Sequence, residues 1–156
     1  MRRFTLIVLL TFLAAAVAVG GTSASGDPNL RIAQAFVAHR CAKASGPRDT
    51  TMWTPGSRVN ALYGDCGGGD GRDQHIWFFV GHRFVGNDTP ASSREIIGIW
   101  GDGQTLAFLY VLYRKADAMC CPTGGGKIVR FRWNGHRIVA LDRIPPRQLG
   151  QVTVGR

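Results

Sequence analysis

Three dipeptides, Gly81-His82, Asp102-Gly103 and Asn134-Gly135, punctuate the second half of the chain and commit it to antiparallel pairing of neighbouring segments. Glycine reaches positive φ without steric cost, which is what the tight primed turns of β-hairpins demand. Between the turns, apolar and polar residues alternate with the period of a half-buried strand. We read strands over residues 59–66, 75–80, 83–87, 95–100, 105–113, 127–133 and 136–141, with each dipeptide acting as a two-residue loop. The result is a meander of six or seven strands.

Ahead of the strands, Asp27-Pro28 has the chemistry of a helix start, a carboxylate to cap free N–H groups and a proline where the missing N–H costs nothing. Leu30, Ala33, Val37 and Cys41 then recur every three or four residues beside Ile32 and Phe36, one apolar stripe along about four turns. Ser45-Gly46-Pro47 ends that helix, and residues 48–57, which include Trp53, read as a loop ordered by packing. The fold class is therefore α+β: an N-terminal helix packed on a curved antiparallel meander and stapled by disulfides.

Residues 1–24 stand apart. Arg2 and Arg3 precede an apolar run from Phe4 to Val19, Thr22-Ser23-Ala24 offers the small residues of a cleavage site, and no acidic residue precedes Asp27. That is the pattern of a secretory signal peptide, the apolar run being short for a membrane span. Residues 25–146 then make one secreted or envelope-resident domain with no transmembrane segment after processing, and residues 147–156 a flexible polar tail. The chain carries a formal net charge of +9, of which Arg2 and Arg3 leave with the leader. The remaining positive field favours anionic partners, such as an anionic component of the envelope, and says nothing about fold.

All four cysteines, Cys41, Cys66, Cys120 and Cys121, lie in the exported part, where disulfides persist. Four cysteines allow three pairings, and a bridge between the neighbours Cys120 and Cys121 is awkward because bridged Cα atoms prefer to stand farther apart. The expectation is that Cys41 and Cys66 each reach one member of that pair. Zinc is disfavoured, since no C-x-x-C spacing occurs.

Two-residue loops would also fix the registers. In the last hairpin Phe131 faces Ile138 and Trp133 faces His136, so Val129, Phe131, Trp133, Ile138 and Ala140 share one side. Arg132 falls opposite Arg137 with Arg130 beside it, and like charges across a ladder repel. That side must be open to water or to an anion, which makes Arg130, Arg132 and Arg137 the candidate anion-binding residues. In the middle strands Ile97, Ile99, Leu106 and Phe108 fall on one side and Trp100, Ala107, Leu109 and Val111 on the other. Both sides are apolar, so the sheet centre is expected to be covered twice, by curling toward a half-barrel or by dimerisation.

Motifs for chemistry are missing. The acidic, glycine-rich stretch 65–73 lacks the alternating oxygen ligands of a calcium loop. His39, His75, His82 and His136 are scattered, although folding could bring His75 to Asp73, and no G-x-S-x-G elbow supplies a nucleophile. Gly124-Gly125-Gly126-Lys127 leads into a strand, not the helix that a phosphate cradle needs. No catalytic residue, metal or cofactor is expected, and without an exposed aromatic row neither is specific nucleic-acid binding.

Cys120-Cys121-Pro122-Thr123-Gly124-Gly125, the run from Ile128 through Arg130-Phe131-Arg132-Trp133-Asn134-Gly135, and Leu141-Asp142-Arg143-Ile144-Pro145-Pro146 resemble the LppP/LprE family of actinobacterial envelope proteins. Tyr63-Gly64-Asp65-Cys66, Trp77-Phe78-Phe79 and Phe84-Val85-Gly86 fit the same pattern, so the likeness spans about residues 28 to 146. The resemblance implies export, often as a lipoprotein, and carries over no catalytic residue. This chain departs from it in having no cysteine just beyond the apolar run, the first being Cys41. The expected function is a secreted, envelope-associated binding or interaction module without catalysis. The alternatives are a small secreted hydrolase acting on an anionic substrate, with a cleft that places His75 or His82 beside a carboxylate, and a secreted inhibitor that presents Trp53 and the glycine-rich loops to a protein partner.

Overall fold

The computed structural model describes residues 26–41, 49–66, 73–147 and 149. The leader, Ser45-Gly46-Pro47, most of the glycine-rich 65–73 stretch and residues 150–156 lie outside the described residues. Helix α1 (Pro28–Ala38) precedes seven strands, β1 (Asn60–Asp65), β2 (Gln74–Val80), β3 (Arg83–Asn87), β4 (Ile96–Gly101), β5 (Thr105–Val111), β6 (Gly126–Trp133) and β7 (Ile138–Ala140). Every strand pairing is antiparallel. The α+β class and the meander order are as the alternation predicts.

Asp27 caps α1 by accepting the N–H of Asn29, and its second carboxylate oxygen accepts the indole N–H of Trp53 at 2.9 Å. One residue thus starts the helix and ties it to the loop before β1. Trp53 is 4% exposed, so it is a core residue and not the presented anchor that the inhibitor reading required. Leu30, Ala33, Val37 and Cys41 are buried as a stripe, while Ile32 stays exposed. The helix closes at Ala38, a turn earlier than its apolar pattern suggested.

The meander divides after β3. One sheet runs β1-β2-β3 and the other β4-β5-β6-β7, joined at the edge by an antiparallel bridge of Gln74 with Ser93. The Gln74 side chain extends that junction by accepting the N–H of Ile96. Between the sheets lies the larger core, with Ile76 and Phe78 of β2 against Phe108 and Tyr110 of β5 and Phe131 of β6. Phe78 and Phe131 stand 5.0 Å apart between ring centroids. The smaller core, on the opposite side of the three-stranded sheet, joins Leu30, Ala33, Val37 and Cys41 to Trp53, Leu62, Trp77 and Phe79. The molecule is therefore layered as helix, sheet, sheet, with the outer side of the four-stranded sheet opposite the helix.

Several registers differ from the sequence expectation, for local reasons. Only Gly81-His82 makes a two-residue loop, with Val80 paired to Arg83 and Gly81 at a φ of 58°. The other two loops are longer, because Gly101 pairs with Leu106 and Trp133 with Ile138. In each, the first side chain closes the turn: Asp102 accepts the N–H groups of Gln104 and Thr105, and Asn134 those of His136 and Arg137. An Asx side chain that mimics a backbone acceptor in this way holds the loop open by two residues. In the last hairpin the faces survive, since a two-residue shift preserves parity, but Arg132 lies opposite Val139 and Arg137 sits in the turn.

In β4 a bulge between Gly98 and Trp100 breaks parity. Ile97 consequently pairs with Leu109 rather than sharing a side with Leu106 and Phe108, and Ile96 takes the inner position against Tyr110. Curling within the chain does not cover the outer side among the described residues: Ile97, Ile99, Trp100 and Ile128 are each more than two-fifths exposed.

The cysteines pair as Cys41–Cys66 and Cys120–Cys121. This overturns the expected bridges from the first two cysteines to the adjacent pair. Cys41 and Cys66 both pack into the helix-side core, and their Cα atoms are 4.6 Å apart, within bridging range. Cys120 and Cys121 belong to the connection between β5 and β6 in the other sheet, where Asp117 organises the loop by accepting from Arg114 N–H and from both the N–H and hydroxyl of Thr123.

Candidate functional site

A cleft of about 480 Å³ opens on the helix side of the three-stranded sheet, lined by Arg40, Cys66, His75, Trp77, Asn87, Asp88, Thr89 and Pro90. Three elements build it. Alternation along β2 points His75 and Trp77 toward the helix. The end of β3 and the residues after it supply Asn87 to Pro90. The Cys41–Cys66 bridge draws the chain just past α1 onto the end of β1, which brings Arg40 to the rim.

Each polar group in the cleft has a distinct setting. The Arg40 guanidinium lies 3.7 Å from the Phe36 ring centre and 6.0 Å from that of Phe84, a cation-π arrangement that fixes a long side chain without neutralising its charge. The His75 ring stands edge-on to Trp77 at 5.5 Å. Its Nδ1 is 3.9 Å from Asp88 Oδ1, with the histidine side chain 21% exposed and the aspartate completely buried. That separation suits electrostatic attraction and exceeds a hydrogen bond.

Asp88 accepts the Ile76 N–H at 3.1 Å on one oxygen and the Tyr110 hydroxyl at 2.8 Å on the other, and so cross-links the two sheets. Burial pushes its carboxyl above the usual carboxylate range, against the pull of those donors and of His75. Nearby, Asp73 is held below that range, first by the Ser92 hydroxyl, then by Arg147, with a smaller pull from His75, while burial opposes. The juxtaposition of His75 with a carboxylate raised from sequence is thus present, but the closer geometry is with Asp88. Thr89 donates its hydroxyl to the Ala91 carbonyl, an arrangement that ties down the one hydroxyl lining the cleft among the described residues.

The sequence-chosen arginines lie elsewhere. Arg130 makes a two-pronged contact with Asp142, Nε at 2.8 Å and one terminal nitrogen at 3.0 Å, and the pair lowers the Asp142 carboxyl to about 2. Arg132 is exposed between Thr105 and Val139, and Arg137 is in the β6–β7 turn. The cross-strand confrontation that defined the patch does not form. His82 contacts Asn29, and His39 closes α1. Sequence reasoning missed Arg40, Trp77 and Asp88; Asp88 sits in Asn87-Asp88-Thr89-Pro90, which reads as turn chemistry and hides a buried carboxyl. Among the described residues no cluster of three or more His, Cys, Asp or Glu is placed to hold a metal ion, and no helix is long and apolar enough to cross a membrane.

The chain belongs to the LppP/LprE lipoprotein family, whose model matches residues 27–136. That stretch takes in α1, both sheets through β6 and the whole cleft, and the family points to envelope association. No curated protein and no solved structure matches the chain.

Proposed function

We propose that this member of the LppP/LprE lipoprotein family is an exported, envelope-associated binding module that holds a small anionic ligand in the cleft of Arg40, His75 and Trp77 and performs no chemistry on it. The observation that carries this reading is the pinned Arg40 cation at the mouth of a cleft that also offers an imidazole and an indole wall. A volume of about 480 Å³ falls within the span of small-molecule sites. Of the described carboxylates nearby, Asp73 is ion-paired with Arg147, and Asp88 is fully buried, where burial favours its uncharged form, so neither opposes an anion as a free charge. The test is calorimetric titration with inorganic phosphate, simple dicarboxylates and sugar phosphates, on the native protein and on Arg40→Gln. We expect saturable binding of at least one probe, weakened about tenfold or more by loss of a charge-assisted contact. Absence of binding across the panel, or affinity untouched by the substitution, overturns the reading.

The proximity of His75 and Asp88 favours a second reading, hydrolysis of an anionic substrate with His75 as general base on water. It needs turnover of an ester or phosphoester panel that His75→Gln abolishes while leaving the thermal transition in place. Such turnover would replace the binding module with an enzyme.

A further inference from the structure

We infer that the outer side of the four-stranded sheet is a docking surface for an anionic lipid bilayer. The register sets the face. Ile97, Leu109 and Ile128 form one cross-strand row, and Trp100, Ala107 and Arg130 the next. Ile97 is 41% exposed, Ile99 and Trp100 44% each, and Ile128 50%. Ile97, Trp100 and Ile128 gathered on one surface, with Ile99 exposed in the bulge beside them, differ from the scattered single exposures that soluble proteins ordinarily show. Among the described residues no element covers them, because α1 packs on the other sheet from the opposite side.

Charge decides the occupant. Along β6, Arg130 and Arg132 alternate with the buried Val129, Phe131 and Trp133, so both guanidiniums emerge on the same side as Ile128. Lys127 and Arg130 both act on Asp142 and Arg132 acts on Asp102, while Arg137 is exposed at the turn beyond. The whole chain carries +9, of which Arg2 and Arg3 of the leader contribute two. A second copy seated on this face would add its own cations to an already positive surface. Pairing through the outer edge of β4 is hindered by the Gln74 side chain, which takes the Ile96 N–H, and by the bulge between Gly98 and Trp100, a device that turns an edge away from strand addition. An anionic membrane surface answers both halves of the pattern: isoleucines and an indole enter the headgroup boundary while guanidiniums meet lipid phosphates. Docked this way, the molecule turns α1 and the cleft away from the membrane.

The test uses protein recovered in processed form from an expressing cell, its N terminus read by mass spectrometry. It is co-sedimented with phosphatidylglycerol/phosphatidylcholine vesicles and with phosphatidylcholine vesicles alone, alongside Ile97→Ser/Ile128→Ser and Arg132→Glu. We expect binding to the anionic vesicles, weakened about tenfold or more by either variant and by raised salt, and a blue shift of tryptophan emission that Trp100→Phe removes. Thermal melts confirm that these surface changes leave the fold intact. Equal binding by wild type and variants, or no binding at all, overturns the inference. So does a dimer in solution that Ile97→Ser/Ile128→Ser dissociates, which would assign the face to a second copy. The cleft titration is a separate measurement and can succeed or fail independently.

Discussion

Replacing Cys41 and Cys66 together by alanine should cost the domain more stability than any other pair of changes to its covalent framework. The bridge joins residues separated by 25 positions. Loop-closure entropy for such a separation is about 12 cal/mol/K, or about 3.5 kcal/mol at 25 °C. The structure adds a second reason: the bridge fixes the end of the helical segment onto β1, and both cysteines pack with Leu30, Val37 and Trp77. For a domain of this size about 3.5 kcal/mol corresponds to a fall in melting temperature of roughly 10–15 °C. Alanine is preferred to serine because Cys41 is buried and a hydroxyl there would add a desolvation cost of its own. The assay is scanning calorimetry of both variants under non-reducing conditions, with Cys120→Ala/Cys121→Ala as the comparison. That second bridge spans one peptide unit, so the same reasoning gives about 0.6 kcal/mol and a shift of about 2–3 °C. Peptide mapping supplies the premise: after trypsin, residues 41–43 should remain linked to residues 59–72, and residues 116–127 should run as one internally bridged peptide. A shift below about 3 °C for the first variant, or the larger loss in the second, would refute the loop-length argument.

Asp88→Asn should make stability less dependent on pH. A carboxyl whose folded value is raised above 3.8 by burial contributes stability that is fully present below the unfolded value and lost as pH rises through the folded one. Asparagine cannot ionise, and its carbonyl still accepts the Ile76 N–H, so the variant should gain on the wild type between pH 4 and 8 in urea titrations; a wild type that gains instead would contradict the assigned direction. Phe78→Ala should destabilise by about 3–5 kcal/mol, because Phe78 is fully buried between the sheets against Phe108 and Phe131. Chemical denaturation reads the loss, and a cost below about 1 kcal/mol would mean that the two sheets do not share this core.

Local chemistry was legible wherever a residue acts on its own neighbourhood. Asp27-Pro28 announced the helix start, Gly81 the two-residue hairpin, and alternation marked β2, β5 and β6 closely. The errors share a cause. Asp102 and Asn134 read as partners of the following glycine, yet their side-chain oxygens accept from N–H groups two and three residues on and lengthen both loops. The bulge at Gly98 to Trp100 then reversed the side of Ile97, and no composition rule marks one inserted residue. The expected confrontation of Arg132 with Arg137 was lost with the register that had defined it.

By itself the sequence determined the kinds of element, their order and their antiparallel sense, because capping, glycine conformations and alternation act over a few residues. Tertiary structure alone decided where the meander splits, which cysteines meet, and that Asp88, 12 positions from Ile76 and 22 from Tyr110, becomes a buried link beside His75. Those outcomes depend on how two sheets and a helix divide the apolar surface among themselves. That division depends on distances in space that spacing along the chain does not encode.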